Sequence, residues 1–200
     1  MFYWIVRNAI KLYFEIIYKI KVIGIENIPE GGAVLAANHL SNYDPLVLAV
    51  TCPRQVSFMA KSELFKGIIG KWFFTTSGMI PVKRGEADIT AIKLSIKALK
   101  ENRLLGIFVE GTRVKHNEDS QAKAGVAMLS TKSKKPVIPV YIEGTFEKFS
   151  EITITYGKAM NLFEGVDTRV TSDVYKQLSA TVLDRIRNLK KGDDNAINNS

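Results

Sequence analysis

The 200-residue chain is poor in the residues that usually build metal and redox sites. It has one cysteine, Cys52, and two histidines, one of them His39. A single cysteine excludes an internal disulfide and a cysteine-based metal cluster. One histidine beside one aspartate, with no further donor close in sequence, falls short of a metal site, so no metal is expected. Neither GxxxxGK[ST] nor GxGxxG occurs, which removes the phosphate-loop kinase and dinucleotide readings. Internal repeats and linker-like stretches are missing too, and the length suits one domain. Negative charge is in short supply, 20 acidic against 28 basic groups, for a net +8. Residues 1 to 100 hold 13 basic and 7 acidic groups, so the excess lies mostly in the first half (+6). Such a surface favours anionic partners without choosing among them. A nucleic-acid binder would interleave basic groups with exposed aromatics. Here six aromatics crowd into the first 18 residues instead, so no nucleic-acid partner is expected.

That first segment, MFYWIVRNAIKLYFEIIYKI, has no small-residue cleavage site of the kind that ends a signal peptide. Arg7, Lys11, Glu15 and Lys19 recur every four residues, advancing by about 40° per step around a helix. With Asn8 they form a polar stripe, and Phe2, Tyr3, Trp4, Tyr13, Phe14 and Tyr18 join the Ile, Leu and Val residues opposite. Four charges argue against a spanning helix. An amphipathic helix lying in a membrane interface over residues 1 to 20 is expected, since aromatic rings and basic groups both suit the headgroup level.

Beyond Lys21 short apolar runs alternate with helix-like periods. The segment VIGIENIPEGG after Lys21 reads as a short strand and then a Pro/Gly turn, and further strands are expected at 33 to 37, 56 to 60, 79 to 82, 104 to 109, 137 to 142 and 152 to 156. Helices are expected at 45 to 51, 63 to 74, 87 to 102, 121 to 133 and 172 to 190. In the third of these, Ile89, Ile92, Ile96 and Leu99 share a face opposite Lys93, Lys97 and Lys100. This is an α/β pattern: a single domain over residues 21 to 190, with a mostly parallel or mixed central sheet flanked by helices. Residues 191 to 200, GDDNAINNS at their end, have nothing to bury and read as a disordered tail.

In such sheets ligands gather beyond the carboxyl ends of the strands. Polar clusters follow strands at three such places. Asn38-His39-Leu40-Ser41-Asn42-Tyr43-Asp44 leaves the strand at 33 to 37. Asp44-Pro45 reads plainly as a helix N-cap with Pro at N1. It also reads as a carboxylate that turns back to fix one imidazole nitrogen of His39, leaving the other to accept a proton from a hydroxyl. No serine is placed as a nucleophile, so an incoming hydroxyl would be the attacker. Lys83-Arg84-Gly85 suits a basic turn or a phosphate clamp. Glu110-Gly111-Thr112-Arg113 suits an ordinary loop or one in which Gly111 admits a ligand close to backbone.

Taken in order, these runs resemble the blocks of the glycerolipid acyltransferases. The matching stretches are Asn38-His39-x4-Asp44, Gly78-x-Ile80-x-Val82-Lys83-Arg84, Phe108-x-Glu110-Gly111-Thr112-Arg113 and Val137-Ile138-Pro139-Val140. The likeness spans roughly residues 20 to 165 and is nearest to the bacterial 1-acyl-glycerol-3-phosphate acyltransferases, which form phosphatidic acid. It implies that His39 is the general base and Asp44 its orienting group. It implies an acceptor-phosphate site at Arg84, Glu110, Gly111, Thr112 and Arg113, with Lys61 a further candidate and Lys123-Ala124-Gly125 a weaker one. It implies a lysophospholipid acceptor and an acyl carrier protein or coenzyme A thioester as donor, with no resident cofactor. Phospholipid synthesis at the cytoplasmic face of the cell membrane follows, the protein being peripheral or monotopic. Pro139 would be structural or line the acyl path, and amides opening the helix after Asp44 would steady the oxyanion. Val109 stands where the family usually has Pro, Pro81 where it has an aromatic, and Lys83 where it has an acid or a small residue. The extra cation leaves the acceptor headgroup open. The alternatives are another lyso-lipid or glycerol 3-phosphate as acceptor, or a non-catalytic lipid-binding protein of the same fold.

Overall fold

The computed structural model describes residues 2–83, 88–111, 121–164 and 171–190. The expected tail at 191 to 200 lies outside them. The chain runs α1 (Phe2–Ile17), β1 (Lys19–Ile23), β2 (Ala33–Ala37), α2 (Asp44–Thr51), β3 (Val56–Lys61), α3 (Gly67–Thr76), β4 (Ile80–Val82), α4 (Ile89–Lys100), β5 (Leu104–Phe108), α5 (Gly125–Ser133), β6 (Val137–Gly144), β7 (Glu151–Tyr156) and α6 (Ser172–Lys190). One mixed sheet carries the strands in the order β1-β7-β6-β2-β5-β3-β4. From β6 to β4 every pairing is parallel, and only β7 against β6 is antiparallel. The carboxyl ends of β2, β3, β4, β5 and β6 therefore share one edge, as the sequence requires for its polar clusters to meet.

β2 lies between β6 and β5 and is buried along its whole length. Its period of two divides it between cores. Val34 and Ala36 face α4, α5 and α6 through Ala91, Leu99, Val126 and Val182. Ala33, Leu35 and Ala37 face α1 and α2 through Phe14, Val47 and Leu48. A strand covered on both faces must be continuously apolar, which Ala-Val-Leu-Ala-Ala is.

Several boundaries differ from the sequence reading. The helix expected to 20 ends at Ile17, and Lys19 and Ile20 pair with β7. The helix expected over 63 to 74 splits into a 3₁₀ turn at Ser62–Phe65 and α3, because Lys66 between them is extended and Gly67, the first residue of α3, takes φ +74°. In α4 the buried face is Ala91, Ser95, Ala98 and Leu99, while Ile89 is 64 % exposed. Small side chains bring this helix close to the sheet, and the Ser95 hydroxyl is satisfied by donating to the Ala91 carbonyl at 2.7 Å. Asp88 caps α4 by accepting from the Ala91 amide at 2.9 Å. Its other oxygen accepts from the Lys83 amide at 2.9 Å, tying the end of β4 to the helix. These amides hold the Asp88 carboxyl below its usual range. Pro139 pairs beside Ala36 in the middle of the sheet and is buried there. Its place inside the sheet gives it a structural part.

Candidate active site

The chain leaves β2 under tight control. Asn38 is buried, its side-chain amide donates to the Ile142 carbonyl at 2.9 Å, and its carbonyl oxygen accepts from the Ile142 amide at 2.8 Å. This two-way bond pins the strand end to β6 and sets the starting direction of the next loop. Asp44 closes that loop. It is fully buried, and Oδ2 accepts from His39 Nδ1 at 2.8 Å and from the Leu40 and Ser41 amides at 2.7 Å each. Three donors on Oδ2 stand in for water around that half of the buried carboxylate, while Oδ1 is buried without a hydrogen-bond partner among the described residues. The bond assigns the proton to Nδ1 and leaves Nε2 as an acceptor. Asp44 is not the expected N-cap. It is the first residue of α2, Tyr43 takes the cap position without a side-chain bond, and the carboxylate points back into the loop. Pro45 follows, as expected of a helix start.

Two further groups hold His39. Glu110, at the end of β5 and nearly buried, accepts from the His39 backbone amide at 3.0 Å through Oε2. Phe108 stacks on the imidazole, ring centres 4.0 Å apart and 18° from parallel. The imidazole side chain remains 17 % exposed.

That exposed part faces a cavity of about 920 Å³. Much of its polar lining comes from the same sheet edge, His39 after β2, Lys61 ending β3, Lys83 after β4, Gly111 after β5 and Lys123 before α5, and Arg7 of α1, Asn42 and Ser77 add to it. Gly111 sits at φ +68°, and a Cβ there would lie 2.7 Å from the Lys123 side chain. Glycine thus serves twice, allowing the turn and letting a lysine pass. The apolar lining includes Tyr3, Val6 and Ile10 of α1, Leu46 and Val50 of α2, Phe58 of β3, Phe73 and Phe74 of α3, and Met79. Phe58 lies across the sheet where Gly106 leaves room, since a Cβ on Gly106 would stand 2.3 Å from its ring.

Of the expected site residues, His39, Asp44, Glu110, Gly111 and Lys61 come together, as does Lys123. Arg84, Thr112 and Arg113 lie outside the described residues. Among amides opening α2, that of Asp44 already donates to Ser41 and that of Val47 to Tyr43, and Pro45 has none. The sequence reading missed Asn38 and Phe108 as supports. A polar residue and an aromatic at two strand ends were the only signal, and their contacts bridge residues 104 and 69 apart.

The sequence matches the family profile described as Acyltransferase over residues 19–143. The 1-acyl-sn-glycerol-3-phosphate acyltransferase of Bacillus subtilis is 35 % identical over 142 residues, 68 % of this chain and 69 % of the relative. That of Streptococcus pneumoniae is 36 % identical over 113 residues, 56 % of this chain but only 41 % of the relative. The crystal structure of the 1-acyl-sn-glycerophosphate acyltransferase PlsC from Thermotoga maritima superposes with a TM-score of 0.71 at 22 % identity, covering 92 % of this chain and 80 % of that one. That likeness establishes the fold. With the profile matched over more than half its length and its buried dyad seated on that fold, this chain belongs to the acyltransferase family.

Proposed function

We propose that the protein transfers a fatty acyl group from a thioester of acyl carrier protein or coenzyme A to the free sn-2 hydroxyl of 1-acyl-glycerol 3-phosphate, forming phosphatidic acid. The observation that carries this reading is the His39–Asp44 dyad at one cavity lined both by the cations Lys61, Lys83 and Lys123 and by many apolar side chains. A phosphate suits the lysines and an acyl chain suits the walls. The names of the bacterial relatives point to the same substrates.

His39 Nε2 takes the proton of the acceptor hydroxyl as its oxygen attacks the thioester carbonyl carbon. The tetrahedral intermediate collapses, the C–S bond breaks, and the leaving thiolate takes the proton back from the imidazolium. The products are an ester and a free thiol, and His39 is neutral again with no acyl-enzyme. Asp44 stabilises the transient imidazolium and keeps its orientation. Such base catalysis supplies roughly 10²- to 10⁴-fold, and positioning of the acceptor supplies more. Lys61 and Lys123, with Arg84, Gly111, Thr112 and Arg113, hold the acceptor phosphate. Glu110 acts through the His39 backbone, which suits an anion in a phosphate-binding pocket better than direct contact would.

α1 supplies the membrane contact, with Ile5, Leu12, Tyr13 and Ile16 each more than half exposed. Among the described residues no helix is long and apolar enough to cross a bilayer, and the exposed aromatic and aliphatic face of α1 supports a helix lying in the interface. The cytoplasmic face follows from the donors, both of which are cytoplasmic thioesters.

The test uses purified protein in detergent, labelled acyl groups on both carriers, and acceptors with and without phosphate. Transfer to 1-acyl-glycerol 3-phosphate, lost in His39→Ala while the circular dichroism stays unchanged, is the expected result. Wild-type rates in His39→Ala sink the mechanism. Preference for a phosphate-free lyso-lipid or for glycerol 3-phosphate replaces the acceptor.

A further inference from the structure

α3 has a composition and an exposure that do not suit a surface helix in water. Its sequence, GIIGKWFFTT, is apolar almost all round, yet none of its ten residues is buried. Ile68 is 90 % exposed, Ile69 82 % and Trp72 52 %. At about 100° per residue these three share one outward face. The inner residues Phe73 and Phe74 line the active-site cavity. An exposed Ile is ordinary when alone, but two adjacent ones with a Trp on one face form an interaction surface.

What covers this face is indicated by its neighbours. Phe2 of α1 contacts the Trp72 ring at 4.4 Å and the Phe73 ring at 5.7 Å between centres, so α1 and α3 meet beside the cavity. The exposed cations Lys66 and Lys71 flank the apolar face. An apolar face rimmed by Lys and carrying Trp matches the layering of an anionic leaflet, with the ring and the cations at headgroup depth and the isoleucines below. Two copies meeting through this face would bring like charges together.

We propose that α3 is a second bilayer-inserting element, with Ile68, Ile69 and Trp72 entering an anionic phospholipid leaflet and Lys66 and Lys71 at its headgroups, so that the cavity opens between two inserted helices. The proposal deepens the reading of α1 as an interfacial helix and rests on the lipid acceptor proposed above. A lipid acceptor would then pass from leaflet to His39 along Phe73 and Phe74 without crossing water.

The two tryptophans of the chain, Trp4 and Trp72, report separately on the two helices. Trp4→Phe leaves Trp72 as the reporter on α3, and Trp72→Phe leaves Trp4 on α1. Each variant is titrated with vesicles of phosphatidylglycerol and phosphatidylcholine, with and without acyl chains brominated near the headgroup. The expected result is a blue shift and bromine quenching of Trp72 as well as of Trp4. The double variant Ile68→Ser, Ile69→Ser should partition into these vesicles at least about tenfold more weakly. It should retain wild-type turnover on a short-chain acceptor dispersed as monomers. Response of Trp4 with none from Trp72 overturns the role of α3 and leaves that of α1. Silence of both overturns both. A Trp72 shift that follows protein concentration without vesicles assigns the face to self-association and likewise overturns the proposal.

Discussion

Asp44 carries more of the site than His39 does. Its Oδ2 holds the imidazole and two loop amides at once, so one atom sets both the tautomer of His39 and the shape of the loop presenting it. Asp44→Asn separates these duties. Asn is nearly isosteric, and its carbonyl oxygen can still accept from the loop amides. Its amide nitrogen would then compete for the imidazole and favour the wrong tautomer. We predict a fall in kcat of roughly 10²- to 10⁴-fold with KM for the acceptor changed little and the fold retained. Equal losses in kcat and in acceptor affinity would mean that Asp44 shapes the binding site instead. At this scale the sequence was readable where chemistry forces a residue type. A histidine with an aspartate five residues on, after an apolar strand, is visible in one line of text. Phe108 stacked on His39 is not, because nothing in Phe-Val-Glu-Gly tells which ring a phenylalanine will meet across a sheet.

Elements were legible in number and kind, less so in what their faces touch. The charge period in α1 located its polar stripe, and the stripe reads as solvated. Arg7 departs from that. Its guanidinium donates to the carbonyls of Ala49 at 3.0 Å and of Val50 and Cys52 at 2.8 Å, at the carboxyl end of α2. A cation there satisfies orphan carbonyls and suits the helix dipole. The apolar side of α1 is divided as well. Tyr3 and Phe14 are buried against the domain, while Ile5, Leu12 and Ile16 stay exposed. Periodicity finds an apolar face but cannot say how much of it a neighbour will cover. Arg7 thus joins the outer helix to the one that begins with Asp44. Removing it in Arg7→Ala leaves carbonyls at the α2 terminus without their donors, and we predict a loss of about 2–3 kcal/mol in urea unfolding. Arg7→Lys should recover only part of this, since an ammonium is a single point where the guanidinium is a fork. A Lys variant as stable as the wild type would reduce Arg7 to a simple countercharge.

For the whole molecule, the alternation of strands and helices foretold a sheet covered on both faces, and the polar clusters foretold which edge would be occupied. Strand order was beyond reach, because β1 enters at the far edge beside β7 and no local pattern encodes that pairing. The same two-sided burial sets how the fold answers to alkali. Cys52 is fully buried at the end of α2, and desolvation pushes its thiol from an ordinary 9 up to about 11. Burial likewise raises Tyr141 to about 12, with Glu143 adding to the effect, and it raises Tyr156 as well. In each the folded state holds its proton more tightly than the unfolded chain. Their contribution is complete below the unfolded value and is lost as pH rises through the folded one. For Cys52 the window runs from about pH 9 to about pH 11 and is worth about 2–3 kcal/mol, a sizeable share of an ordinary domain's stability. We predict that urea midpoints fall across this window and that Cys52→Ala falls less steeply than the wild type between about pH 9 and about pH 10.5. The tyrosines keep both curves descending above it. Parallel curves for the two proteins would show that the thiol is reached by solvent before the fold opens, and would move the alkaline weakness to the tyrosines alone.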